Sequence, residues 1–150
     1  MNPVWAHVFI PVLLAGLSNG IIYRLGITQN KYQDKRNPYL PPGYVIGTIW
    51  MVLFGLLGYA HYLIYSVNQR STRASLAIVG LFLFCLAYPV FTGLRVKSGL
   101  LLNLATLILA FVVSMLVLVE SASVVMWFIP LLAWATFVNV VFVVECSNKY

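Results

Sequence analysis

The sequence predicts an all-α integral membrane protein, a bundle of five transmembrane helices. Three observations predict it. Of 150 residues, 62% are hydrophobic and only 8% are charged, whereas a soluble domain carries about 25% charged residues. That leaves too little polar surface to cover a globule in water. The mean hydropathy is +0.95, and apolar runs of about 20 residues, long enough to cross a hydrocarbon core, recur between short polar turns. Finally, Pro41 and Pro42 join a charged loop directly to a long apolar run, and proline suits the first helical turn, where its missing N–H costs nothing. Five spans fill the chain, so residues 1–150 form a single transmembrane domain.

The elements follow in order. Helix one is expected over about 5–25. Pro11 lies inside it and should kink it, which neighbours make tolerable by satisfying the freed carbonyl. The MNPVWAHVF terminus has no basic n-region and reads as a retained first helix, not a cleaved signal. Gly16 and Gly20 form a GxxxG, a spacing that lets helices approach closely. Intramolecular packing and a homodimer contact both use it, and packing is the preferred reading. His7 reads as a hydrogen-bonded interfacial group.

Residues 26–41 form the one long loop, with Tyr32, Tyr39, Lys31, Asp34, Lys35 and Arg36. A loop of that length in so economical a chain is either a lid over the bundle or a solvated charged face. Helix two is expected over about 42–66, helix three over 74–93, helix four over 100–119 and helix five over 124–144.

Charge sets the orientation. The net charge is +6, and the basic residues are dispersed in span-flanking loops, which indicates membrane topology and not nucleic-acid binding. Arg24, Lys31, Lys35, Arg36, Arg95, Lys97 and Lys149 fall on one side, against Arg70 and Arg73 on the other. The long loop and C-terminus are therefore expected in the cytosol.

Little catalytic chemistry is encoded. The acids are Asp34, Glu120 and Glu145, all in loops or at span ends. No carboxylate pair, HExxH, Walker loop or GxSxG occurs, and no metal ligand set is read. Spans without intramembrane charges do not resemble a pump. Cys85 and Cys146 show no pairing or metal spacing. What remains is aromatic. Ile46, Trp50 and Phe54 lie at i, i+4 and i+8 on helix two, with Gly43, Gly47 and Gly58 nearby. With Trp134 and Phe137 on helix five they offer a flat apolar ligand two walls, or else they are packing and interfacial anchors. Asn103, Thr106 and Asn139 are the polar groups that would orient a ligand.

The run from Pro41 and Pro42 through Tyr44, Trp50, Phe54, Gly58 and Tyr59 closely resembles the TspO/MBR family, that of the translocator proteins or peripheral-type benzodiazepine receptors. Pro130, Leu132-Ala133-Trp134 and Phe137 resemble the family's last-helix motif. The resemblance spans nearly the whole chain. It implies a five-helix bundle whose first loop closes over a cavity for tetrapyrroles such as porphyrin or heme, for sterols such as cholesterol, and for synthetic ligands. No covalent cofactor is implied. The cavity positions carried over are Gly20, Ile21, Ile46, Gly47, Ile49, Trp50, Phe54, Trp134, Phe137, Val138 and Val141. In bacterial members the two tryptophans are tied to light-dependent porphyrin breakdown, and Trp50 and Trp134 keep both positions. Helix three departs from the pattern: Phe84-Cys85-Leu86-Ala87-Tyr88-Pro89 retains the proline but neither the asparagine nor the tryptophan. Gly99 stands for a tryptophan and Asn103 for an acid. The C-terminal sterol motif lacks its tyrosine at Val140–Val144, while Leu63–Arg70 matches a sterol pattern formally.

Three functions compete at this point. One is a membrane receptor or transporter for tetrapyrroles or sterols, in a mitochondrial outer, other organelle or bacterial membrane. The others are a photo-oxidase acting on bound porphyrin and a scaffold subunit with no small-molecule site.

Overall fold

The computed structural model describes residues 4–25, 41–67, 72–94 and 99–147. The long loop, and with it the reading of residues 26–40 as a lid, lies outside the described residues, as do the turns at 68–71 and 95–98 and the last three residues. All regular structure among the described residues is helical: α1 (Val4–Arg24), α2 (Gly43–Val67), α3 (Thr72–Leu94), α4 (Gly99–Glu120), α5 (Ala122–Val125), a 3-10 turn (Met126–Phe128) and α6 (Ile129–Ser147). Five helical stretches are long and apolar enough to cross a membrane, the fifth running through α5, the turn and α6 as Ala122–Val144. The predicted five-span, all-α class is the class found.

Local chemistry explains the ends and the breaks. The Pro42 carbonyl accepts from both Val45 N (2.9 Å) and Ile46 N (3.1 Å), so α2 starts directly after the proline pair. Ser121 is extended, at φ −159° and ψ 106°, and alone separates α4 from α5. The fifth span is interrupted because Pro130 has no N–H to give the Met126 carbonyl. Ile129 N–H serves that carbonyl instead, a tighter i→i−3 bond.

α1 stays helical through Pro11, and the consequence lies across the interface with α2. Pro11 leaves the His7 carbonyl without its i→i−4 amide. That carbonyl abuts Gly58, where an added Cβ would collide with it and would lie 3.2 Å from Pro11 Cγ. The same antiparallel seam continues along both helices. A Cβ at Gly55 would lie 3.4 Å from Val12, one at Gly16 3.8 Å from Met51, and one at Gly47 3.4 Å from the Asn19 amide nitrogen. Gly16 thus packs within the chain, while at Gly20 nothing described lies within 4 Å.

α1, α2 and α3 pack on one another, α3 packs on α4, and α4 on α5 and α6; α2 closes the ring against α5 and the 3-10 turn. The core is lopsided. Its buried members are Leu53–Ile64 positions of α2, Ala74–Cys85 positions of α3, Ala110, Val113 and Val117 of α4, and Val124, Phe128 and Leu131 of the fifth span. These halves of antiparallel helices share one side of the membrane, away from the 26–40 loop. α1 adds only Ala15 to this cluster.

Because the obstacle at Gly58 is backbone, it cannot swing aside. Gly58→Ala should destabilise the fold by about 1–3 kcal/mol, as overpacked cores do. The check is the midpoint of reversible unfolding in detergent, beside Gly80→Ala, where an added Cβ meets nothing within 4 Å and stability should hold or rise slightly.

Candidate functional site

On the side opposite the dense core, α2 and α6 diverge and leave a cleft of about 720 Å³. α2 contributes Tyr44, Val45, Thr48, Ile49, Val52 and Leu53, preceded by Pro41; α6 contributes Pro130, Ala133, Trp134 and Phe137. Both sets follow the i, i+3/i+4 spacing of a single helix face. Tyr44 (78% exposed), Val52 (58%) and Phe137 (41%) are its exposed lining residues.

Among the described residues the cleft is almost wholly apolar, with no charged residue in its lining. The Thr48 hydroxyl donates to the Tyr44 carbonyl at 2.9 Å, so its proton is already committed. The indole N–H of Trp134 is different. It is buried and finds no acceptor among the described residues. An unmade hydrogen bond of this kind costs about 1–3 kcal/mol, and the nitrogen is enclosed by protein, so it is the ring and not its N–H that faces the cleft. Trp134 also tilts against Phe137, with ring centroids 5.6 Å apart and 31° between planes, making a continuous aromatic wall.

Of the residues singled out from sequence, Ile49, Trp134 and Phe137 line this cleft. Trp50 and Phe54 face another way. Phe54 is buried and meets Phe82 of α3 edge-on at 4.8 Å, with Trp50 beside it at 5.6 Å. Gly47 lies against Asn19 of α1. Ile46 and Val138 are half-buried and Val141 is buried, and none of the three belongs to the cleft lining. Ile21 is 57% exposed and Gly20 is open; neither touches the cleft. The lining residues not foreseen are Tyr44, Val45, Thr48, Val52, Leu53, Pro130 and Ala133, with Pro41 at the mouth. Their helical spacing was present, but α2 is apolar on every face, so spacing alone could not choose among faces.

The predicted polar trio forms a buried cluster between α3, α4 and α6. Tyr88 donates to the Asn103 carboxamide oxygen. Asn139 Nδ2 donates to the Asn103 main-chain carbonyl (3.1 Å) and to the Ala135 carbonyl (2.8 Å). Thr106 spends its hydroxyl on the Leu102 carbonyl at 2.8 Å. Asn103 Nδ2 and Asn139 Oδ1 are buried without a partner among the described residues. The cluster therefore acts first as interhelical adhesive. Hydrogen bonds between spans average about 0.6 kcal/mol, so Asn139→Leu, which also removes the orphaned oxygen, should cost no more than about 1 kcal/mol in reversible unfolding. A much larger loss would mean that the cluster holds the α4–α6 contact by itself.

No curated protein matches the chain. A family model described as the TspO/MBR family matches residues 7–144, which takes in all five spans but for a few terminal residues. With five membrane-crossing helices and that match, the chain is an integral membrane protein belonging to the TspO/MBR family.

Proposed function

We propose that this protein binds a flat, largely apolar ligand of the tetrapyrrole or sterol class in the cleft between α2 and α6. The observation that carries the reading is an almost wholly apolar cleft of about 720 Å³ walled by Trp134 and Phe137, a volume within the ~300–1,000 Å³ range of small-molecule sites. Such a cleft favours a broad, flat hydrophobic body. It also favours delivery through the bilayer, because its edge residues are exposed to lipid. Family membership supports the same class of ligand.

The roles of the parts follow from the geometry. Trp134 and Phe137 form an aromatic wall against the ligand face. Ile49, Val45 and Val52 form the opposite wall. Trp50 and Phe54 stiffen α2 from behind through Phe82 and act on the site indirectly. On this reading binding precedes either transport or sensing, and light-dependent breakdown of a bound porphyrin would involve Trp134 more directly than Trp50. The charge bias supports a cytosolic long loop and C-terminus, and Arg24 in the last turn of α1 would then lie at the cytosolic end of that helix.

The test is a porphyrin titration of detergent-purified protein in the dark, followed by tryptophan fluorescence. Trp134→Phe should weaken saturable binding about 2- to 10-fold, from loss of aromatic area. Trp50→Phe should weaken it less than Trp134→Phe. Absence of saturable binding in the unaltered protein would remove the ligand site and favour the scaffold reading. Illumination of the loaded protein then separates binding from turnover.

A further inference from the structure

The two histidines of the chain are 54 positions apart in sequence and adjacent in space. His7 Nδ1 and His61 Nδ1 stand 2.9 Å apart, and His61 Nε2 lies 2.7 Å from Ser75 Oγ. Both rings line a second cavity, of about 70 Å³, whose other walls include Pro11, Leu57, Ile78 and Phe82. His7 is in the first turn of α1, Ser75 in the first turn of α3, and His61 within two turns of the end of α2. The site is thus roughly 9 Å or less from one membrane surface, at 1.5 Å rise per residue. That surface is the one opposite the long loop, so this site and the cleft are at different ends of the bundle.

We propose that His7 and His61 form an interhelical binding site for a borderline divalent transition-metal cation of the Zn²⁺ class. Four features argue for it. Two imidazole nitrogens that face each other at 2.9 Å share one proton between two lone pairs. Zinc bound to nitrogen at about 2.0–2.1 Å in tetrahedral geometry needs its donors about 3.3 Å apart, so the nitrogens must part by about 0.4 Å and the rings must turn by roughly 35° for their lone pairs to converge on the ion. The proton between them moves to His7 Nε2, both imidazoles stay neutral, and each Nδ1 lone pair faces the ion. Next, Ser75 Oγ lies 2.7 Å from His61 Nε2, where it can accept the Nε2–H of the tautomer that leaves Nδ1 free, the outer hydrogen bond that metal-binding histidines ordinarily make. Then, the cavity of about 70 Å³ beside the two rings leaves room for water to join an ion as a further ligand. Finally, no group of three His, Cys, Asp or Glu occurs among the described residues, so water must supply the remaining ligands, and the ion is exchangeable and not structural. Its effect would be to clamp the α1–α2 seam at its His7–Gly58 end.

The experiment is a Zn²⁺ titration of the full chain, purified without a histidine tag, against a chromophoric chelator, with zinc-edge X-ray absorption on the loaded protein. The expected result is one ion per chain with two imidazoles and oxygen ligands. The chain contains only two histidines, so a two-imidazole signature at one ion per chain identifies this pair. His7→Gln and His61→Gln should each weaken binding at least tenfold. Ser75→Ala should weaken it about tenfold while keeping the two-imidazole signature, as loss of an outer hydrogen bond does. Binding that survives both histidine substitutions, or an absorption spectrum without two imidazoles, overturns the assignment. The spectrum of the unaltered protein decides the matter even if a histidine variant does not fold.

Discussion

One backbone carbonyl governs how the first two spans meet. Pro11 withholds the amide that would have bonded to the His7 carbonyl, and Gly58 lets α2 come close enough to cover it. In a bilayer an unsatisfied backbone group costs several kcal/mol, and close Cα–H contact to a carbonyl recovers a part of that. The contact sets the register of the seam: Gly55 against Val12, Met51 against Gly16, and Gly47 against Asn19 follow at helical spacing. The same register brings His7 to His61. It also commits one face of α2 to α1, so the faces left for a ligand are already limited.

The remaining faces divide the bundle by depth. Where α2, α3, α4 and the start of the fifth span crowd together, the side chains are buried and apolar, with Leu57, Leu81, Val117 and Phe128 all at 1% exposure or less. Toward the other surface the interior becomes polar between α3, α4 and α6, and opens between α2 and α6. A rigid, dense half thus supports a looser half that can admit a guest. A binding cleft needs this division, because well-packed interiors leave few voids larger than a water molecule. Holding Trp134 at the border gives the cleft a firm aromatic wall.

Much of the fold was legible in the sequence. The span count, the start of α2 at the proline pair and the membrane class follow from hydropathy and from proline's missing N–H, which are local properties. Azimuth was not legible. Trp50 and Phe54 share a face, and spacing showed this correctly, yet the face turned toward Phe82 and not toward Trp134. In a soluble helix a polar stripe would have marked the outward side. α2 has none, since lipid accepts any apolar face. The pairing of His7 with His61 was hidden for a different reason: a contact between residues 54 apart depends on the register of two helices, which one glycine sets. Asn103, Thr106 and Asn139 were found together because buried polar groups in a membrane must seek one another or the backbone.

The 3-10 turn at Met126–Phe128 bears on the azimuth of everything after it. A 3-10 residue advances about 120° around the axis and an α residue about 100°, so three such residues wind the rest of the fifth span forward by about 60°. Trp134 and Phe137 therefore meet the cleft at an angle that an unbroken helix with the same residues would not give them. Pro130 thus works as a phase shifter. Relatives that lacked this turn could keep every aromatic residue of the motif and still aim them at a different neighbour.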